Sequence, residues 1–510
     1  MTRAVVIGSG LSGLTAGAKL AQEGYEVIVF EQFERPGGVT APLEKSGFKW
    51  DLGQLLIEGL GPNEPCGEVL ADLELEGAIQ FIRDDRGYVF PDFAITKPGE
   101  YGGVQWRINK LKDLFPEDAS GLDKYWKDYL RFTRLMTLGR ALAKAGGWKK
   151  ATLNLKLYWT LLPLIPKIKW SAQLLMDHYF KSKRLKCVFI SILADFFTKP
   201  SQFIGLGVYA LNYETFYEKR IPKTLAKDTD QLYLYSVLGG ISSLVDALVG
   251  KIQSHDGVVH ASRPVTEIKV DGNQVAGVVD CEGQFIPSDV VVASGGAKET
   301  FNKLVGKAHL TDEFSRQVDD IALMDSVFMV HLGVDFDPSP YVHGVCTYFY
   351  GTYDIEGGID EAKAGIYHEG EKGLVVHIPT LHTPELAPEG HHAVTVYTIC
   401  PDRLKEGSWE EHKEDYADKL IAYAEYHIPR LNDHVKERMV LTPEDFRHRT
   451  HLDHHAFGGI APIMGKSGIP HKTPIQGLWF VGAQSESGGG INNVVPAAFQ
   501  TAQAIIEEQA

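Results

Sequence analysis

The sequence predicts an α/β fold, on three observations. The chain opens with a short apolar run that passes through glycines into a helix and then a second apolar run. Two distant segments, Asp289-Val290-Val291-Val292-Ala293-Ser294 and Leu478-Trp479-Phe480-Val481, read as further buried strands of the same sheet. Between them lie stretches of other periods, mainly helical from about 100 to 225 and strand-rich from about 305 to 455. In the opening unit, Ala4 to Ile7 form the first strand and Gly8, Gly10 and Gly13 shape the turn into the helix. Gly8 permits the tight turn, Gly10 lets backbone approach a pyrophosphate, and Gly13 lets helix and strand pack closely. The helix N-terminus at Leu11 and Ser12 offers unpaired N–H groups and a positive dipole end to phosphates. Glu31 ends the second strand 18 residues after Gly13, where a carboxylate can accept hydrogen bonds from both ribose hydroxyls. Strand, glycines, helix, strand and acid in register predict a dinucleotide site.

The elements that follow specify the dinucleotide. After Glu31 come Gln32, then Arg35-Pro36-Gly37-Gly38-Val39-Thr40 and Gly47-Phe48-Lys49-Trp50-Asp51-Leu52-Gly53. Near the end stand Gly477-Leu478-Trp479-Phe480-Val481-Gly482-Ala483 and Gly488-Gly489-Gly490-Ile491-Asn492-Asn493-Val494-Val495-Pro496. On these motifs the chain resembles the phytoene desaturase, carotenoid isomerase and retinol saturase group of FAD-dependent oxidoreductases, relatives of flavin amine oxidases. The likeness is dense over residues 4–60, 236–300 and 476–505 and thin elsewhere. It implies FAD as cofactor and an FAD-binding Rossmann-like (GR2-type) domain, with an antiparallel-sheet substrate domain and a helical, membrane-facing insertion. It also implies that Leu11, Ser12, Gln32, Arg35, Gly37, Gly38, Val39 and Thr40 lie along the cofactor. Val265 and Ala293 would stand on its adenine side, and Gly482, Ala483, Asn493 and Val494 at its flavin end. The helix starting near Asn493 would aim its N–H groups at the pyrimidine edge of the flavin, with Gly488, Gly489 and Gly490 letting backbone pass close to the ring.

The domains follow from these segments. The cofactor domain takes residues 1–95, 231–304 and 456–510, a helical substrate or membrane insertion takes 96–230, and a substrate-binding domain takes 305–455. Within the middle segment, Ile241 to Ile252 has helical spacing, Val258 to Ala261 is a strand, and Asp271-Gly272 turns a hairpin between Val265–Val270 and Gln274–Asp280. In the substrate domain, Val327–Val334, Leu374–Ile378 and Ala393–Ile399 read as strands and Trp409–Ala424 as a helix.

At 510 residues the chain is long enough for two or three domains, and 44% hydrophobic with 23% charged residues is ordinary globular composition. A net charge of −15 argues against nucleic acid as a partner. Five scattered cysteines, with no Cys-x-x-Cys, suggest neither a disulfide framework nor a cysteine metal site. The first strand begins within four residues of Met1, and no stretch reaches the roughly 18 apolar residues of a membrane span. The expected location is the cytoplasm, with peripheral membrane contact.

That contact is assigned to residues 140–190. They hold eleven basic residues (Arg140, Lys144, Lys149, Lys150, Lys156, Lys167, Lys169, Lys181, Lys183, Arg184, Lys186) against the single acid Asp177. Within them Leu153 to Pro166 mixes leucines, Tyr158 and Trp159, a composition suited to a bilayer interface. A lid whose apolar face packs on its own protein is the other reading.

The chemistry implied by the resemblance is hydride transfer at flavin N5 to or from a carbon of a lipophilic, isoprenoid or polyene substrate: desaturation, saturation or isomerisation of carbon–carbon bonds. An amine-oxidase-type reaction and a non-enzymatic lipid or prenyl escort are the rivals. Two departures from the family pattern stand out. Val39-Thr40 replaces an arginine after the glycine pair, and Ser485-Glu486-Ser487 replaces a Thr-His-Pro. Glu486 is therefore either an acid or base at the flavin rim, raised in pKa by burial, or a carboxylate accepting backbone hydrogen bonds. His448, His451, His454 and His455 lie near Gly458-Gly459 and Pro462, which indicate a loop rather than a metal-binding helix; no metal is expected, and the histidines either line the substrate pocket or are loop and packing residues. Tyr209, Tyr213, Phe216 and Tyr217 are either a polyene-flanking cluster or core.

Overall fold

The computed structural model describes residues 2–53, 55–143, 145–217, 219 and 232–509. The apolar runs form a five-stranded parallel sheet in the order Val258–His260, Glu26–Phe30, Arg3–Ile7, Val290–Ser294, Leu478–Val481. Strand alternation sends successive side chains to opposite faces. Val6, Val27, Val29, Val290 and Val292 pack under the helices Leu11–Gln22, Ser242–Gln253 and Ile491–Gln509. Val5, Phe30, Val291, Ala293 and Phe480 face the other way. There they meet a three-stranded antiparallel sheet (Val265–Asp271, Gln274–Asp280, Phe285–Pro287) and the segments Glu299–Gly306 and Asp312–Asp319.

A second sheet has seven strands, ordered Val435–Leu441, Ser326–Val334, His392–Cys400, Gly373–His377, Cys346–Tyr350, Arg86–Phe90, Phe93–Ile95. Phe328, Val330, Leu332 and Val334 lie under the helix Trp409–His427. Met329, Tyr397 and Tyr348 face the helices of the insertion instead. The sheet is antiparallel except for the parallel pair of Arg86–Phe90 with Cys346–Tyr350.

The domain limits move accordingly. Residues 86–95, expected with the cofactor domain, form the last two strands at one end of the second sheet. Val305, Phe314, Val318 and Ile321, expected in the substrate domain, complete the core beneath the parallel sheet. Local periodicity tells that a segment is a strand or helix but not which core it joins; that is decided by long-range packing.

The insertion comprises the helices Trp106–Leu114, Ala119–Ala143, Gly147–Leu161, Ala172–Tyr179, Lys183–Ile190 and Gly207–Leu211. Its interior is aromatic, with Tyr125, Tyr129, Tyr179, Phe180, Phe189 and Tyr209 buried, and it encloses an Arg107–Glu214 ion pair of 3.0 Å that Asn212 joins. The helix Gly147–Leu161 is different: none of its residues is buried. Lys144, counted above among the basic residues, lies outside the described residues. Among the described residues no helix is long and apolar enough to cross a membrane.

Candidate active site

A cavity of about 910 Å³ runs from the first glycine turn, between the two sheets, to the floor of the insertion. Its first wall is the opening βαβ unit, and the three glycines do three different jobs. Gly8 has φ +93°, and a side chain on it would meet the Ser294 carbonyl oxygen at 2.3 Å. One on Gly13 would lie 2.1 Å from the Gly8 carbonyl oxygen, so helix and turn touch there. Gly10 faces open space. It is also the N-cap of the helix Leu11–Gln22 and makes no side-chain cap, which leaves the terminal N–H groups turned to the cavity.

Glu31 is buried at the end of the second strand and lines the cavity. One carboxylate oxygen accepts from the Ser9 N–H (2.9 Å) and Ser9 Oγ (2.5 Å), and the other accepts from the Phe33 N–H (2.8 Å). The carboxylate is thus held in place by its own loop and keeps lone pairs for a ribose. Leu11, Ser12, Gln32, Gly37, Gly38, Val39, Thr40, Val265, Gly482, Ala483, Asn493 and Val494 also line the cavity.

Two cofactor residues from the sequence reading stand elsewhere. Arg35 is half-exposed and pairs with Glu44 at 3.4 Å, outside the cavity wall. Ala293 points into the core beside Val5 and Phe480, and the wall at that strand end is Ser294, Gly295 and Gly296. The strand's alternation turns Ala293 inward just before the chain leaves the sheet.

The far end of the wall is the turn into Ile491–Gln509. Asn492 Oδ1 is buried there without a partner, and Asn493 Nδ2 donates to the Gly489 carbonyl. A side chain on Gly489 would lie 1.7 Å from the Gly458 carbonyl oxygen. This glycine is therefore demanded by a neighbouring loop, a reason the sequence reading did not give. Open space at Gly10, an uncapped helix start, a held acid and an orphaned amide oxygen at the opposite end fit a flavin dinucleotide laid along this wall.

Glu486 lies at the mouth of the cavity, exposed, and its Oε1 accepts from the His471 N–H at 2.8 Å. The burial that an acid or base role required is missing, and the backbone-acceptor reading describes what it does. Of the histidines, His451 caps the helix Pro443–Thr450 in the left-handed region (φ 52°) and lines the cavity. His455 stacks on Phe446 and shares a 2.6 Å hydrogen bond with Ser326 Oγ; burial lowers its pKa to about 3. His454 sits 3.4 Å from Asp402, which together with a hydrogen bond to the Met324 carbonyl outweighs burial and raises its pKa. Among the described residues no group of three or more potential ligands is placed to hold a metal.

Sequence reasoning missed Arg449. Its guanidinium covers the Phe33 ring at 4.0 Å and lines the cavity near Glu31, with Nε and Nη2 unpartnered. Burial lowers its pKa against the pull of Glu31 and Glu34. This cavity-lining cation near Glu31 comes from residue 449, and no local motif marks it.

Beyond the cofactor wall the cavity is lined largely by apolar side chains, with Glu58, Arg86 and Asp195 set among them. Leu55, Leu56, Ile192, Phe203, Met324 and Phe457 line it. The cluster Tyr209, Tyr213, Phe216 and Tyr217 does not reach it; all four are buried in the core of the insertion, so the core reading of that cluster holds.

The flavin containing amine oxidoreductase family matches residues 11–506. A neurosporene-forming phytoene desaturase of Rhodobacter capsulatus is 24% identical over 99% of this chain and 94% of its own. Prolycopene isomerase 2 of an Oncidium hybrid is also 24% identical, over 96% of this chain and 81% of its own. Among solved structures, an oxidoreductase from Methanosarcina mazei superposes with a TM-score of 0.61 at 17% identity, over 99% of this chain and 100% of the other. Glycine turn, held acid, C-terminal helix and a match over nearly the whole chain agree: this chain belongs to the flavin containing amine oxidoreductase family, an FAD-dependent oxidoreductase of phytoene desaturase-like type.

Proposed function

We propose that the enzyme desaturates, saturates or isomerises carbon–carbon double bonds of an isoprenoid or polyene taken from a membrane. The observation that carries this reading is the apolar wall of Leu55, Leu56, Ile192, Phe203, Met324 and Phe457 continuing from the cofactor wall. Relatives named for phytoene desaturation and prolycopene isomerisation support it. The bound flavin supplies hydride transfer. The chain's own residues bind its phosphates at the Leu11 helix start, hold its ribose at Glu31, and keep water from a substrate bedded in hydrocarbon side chains.

Delivery from a membrane rests on the insertion. Trp148 is 81% exposed, Trp159 62% and Leu155 60%. An apolar helix face turned away from its own protein supports bilayer docking over the packed lid. Lys149, Lys150 and Lys156 on the same helix, and Lys169 shortly after it, are exposed. Lys167, by contrast, is buried and bonded to Asp128 and Tyr179, so it is lost to any lipid headgroup.

Anaerobic mixing of FAD-loaded enzyme with a liposomal C40 polyene tests the chemistry. Loss of the oxidised-flavin absorbance together with a more unsaturated product marks a desaturase. Conversion that needs pre-reduced flavin and leaves it reduced marks an isomerase, and consumption of the reduced flavin marks a saturase. No spectral change and no conversion with any polyene would refute the proposal.

A further inference from the structure

At its inner end the apolar cavity meets a second, small one. Asp195, Tyr348 and Tyr397 line both. The small cavity measures about 40 Å³, room for about three water-sized groups. It lies between the segment Ser191–Ala194, the helix Ile355–Lys363 and the second sheet. Three polar groups with unused hydrogen-bonding capacity surround it. The Tyr350 hydroxyl and His368 Nδ1 are buried without partners, and the Asp195 carboxyl takes no hydrogen bond among the described residues. Burial disfavours the charged form of all three: it pushes the Asp195 pKa up to about 7 against the pull of Arg86, that of His368 down to about 4, and that of Tyr350 well above its ordinary value.

A pure hydrocarbon leaves these groups unmet, and an unmet buried donor or acceptor is costly. A carboxylate end is equally unsuited, because Lys372, the one cation among the described residues that line this pocket, is already paired with Glu361. We infer that this inner pocket receives a neutral oxygen at the end of the substrate chain, so that the enzyme acts on an isoprenoid ending in a hydroxyl or carbonyl group. The inference rests on the isoprenoid reading above and narrows it. The Tyr350 hydroxyl and the protonated Asp195 carboxyl each donate a hydrogen bond to the oxygen, and His368 Nδ1 accepts one from a substrate hydroxyl or, in the other tautomer, donates one to a carbonyl.

The test uses the FAD-loaded protein, with geranylgeraniol and the hydrocarbon of the same chain length and double bonds as probes. Binding is read from the quenching of tryptophan fluorescence and the perturbation of the flavin spectrum. The alcohol should bind about tenfold more tightly, the discrimination expected of a site whose polar groups go unpaired with the wrong ligand. Tyr350→Phe and Asp195→Leu should each remove most of that preference while hydrocarbon affinity and flavin content stay as in the wild type. Tyr350→Phe deletes one oxygen only, so it keeps the test open if Asp195→Leu fails to fold. Equal binding of alcohol and hydrocarbon by the wild type would overturn the inference, leaving water in the pocket and the isoprenoid reading intact. Failure of both probes to bind would overturn the two together.

Discussion

At the scale of single residues, the glycines make opposite predictions although they share one motif. Gly10→Glu has space for its side chain, so the protein should fold. It should purify colourless, because a carboxylate would then stand where a phosphate lies. Gly8→Ala should instead lower thermal stability, since its φ of +93° and the Ser294 carbonyl at 2.3 Å both oppose a Cβ. A differential scan and a flavin spectrum separate the two, and full flavin content in Gly10→Glu would show the phosphate path to be elsewhere. Glu486→Gln should change turnover by less than about twofold, because a glutamine oxygen accepts the His471 N–H as well as a carboxylate does. A large loss of kcat with normal flavin content would restore Glu486 to the mechanism.

At the scale of elements, the loop after Thr450 and the helix Gly147–Leu161 carry the predictions. The loop is pinned through Asp402, which accepts from Arg447 and the His455 N–H and faces His454. The His454 pKa is raised, so its stabilisation is complete below its ordinary value near pH 6.5 and fades as pH rises through the raised one. Hydrogen bonds and the His454 charge hold Asp402 below its ordinary carboxylate value despite burial; its contribution persists until pH falls through that lowered value. Asp402→Asn should therefore remove the loss of melting temperature on the alkaline side of pH 6.5, and a titration of His454 by NMR should return its pKa to the ordinary range or below. On the insertion, replacing Lys149, Lys150, Lys156 and Lys169 by glutamate should sharply reduce binding to anionic vesicles. The wild type should bind less as salt rises, since screening acts within about 8 Å at physiological ionic strength, but a remainder should persist from Trp148, Trp159 and Leu155. Vesicle binding unchanged by the four substitutions would leave the exposed face without its proposed bilayer.

At the scale of the whole molecule, sequence and structure divide the work along a physical line. Features written within a few neighbouring residues were legible: the glycine turn, the acid at Glu31, the hairpin at Asp271-Gly272, the helix from Trp409 and the strand Leu478–Val481. Each depends on backbone conformation or on a period of two or 3.6, which neighbours in the chain set. The start and end of the chain could be joined in one cofactor wall because both carry such local marks. Where two distant segments must meet, the sequence was silent. Nothing near residue 449 announces a guanidinium over Phe33, and nothing in Arg86–Phe90 says that it pairs with Cys346–Tyr350 rather than with the cofactor sheet. Lys167 reads as one more basic residue until its fold-back onto Asp128 and Tyr179 buries it, and Glu486 reads equally as a flavin-rim acid or a backbone acceptor until its exposure and its bond from the His471 N–H decide between them. The sequence by itself determined the α/β class, the dinucleotide site and the family. Only the tertiary structure decided which charges are spent in the interior, which apolar face is left outside, and which distant residues line one cavity. Burial is a property of what packs on a residue from elsewhere in the chain, and it sets the desolvation that local sequence does not encode.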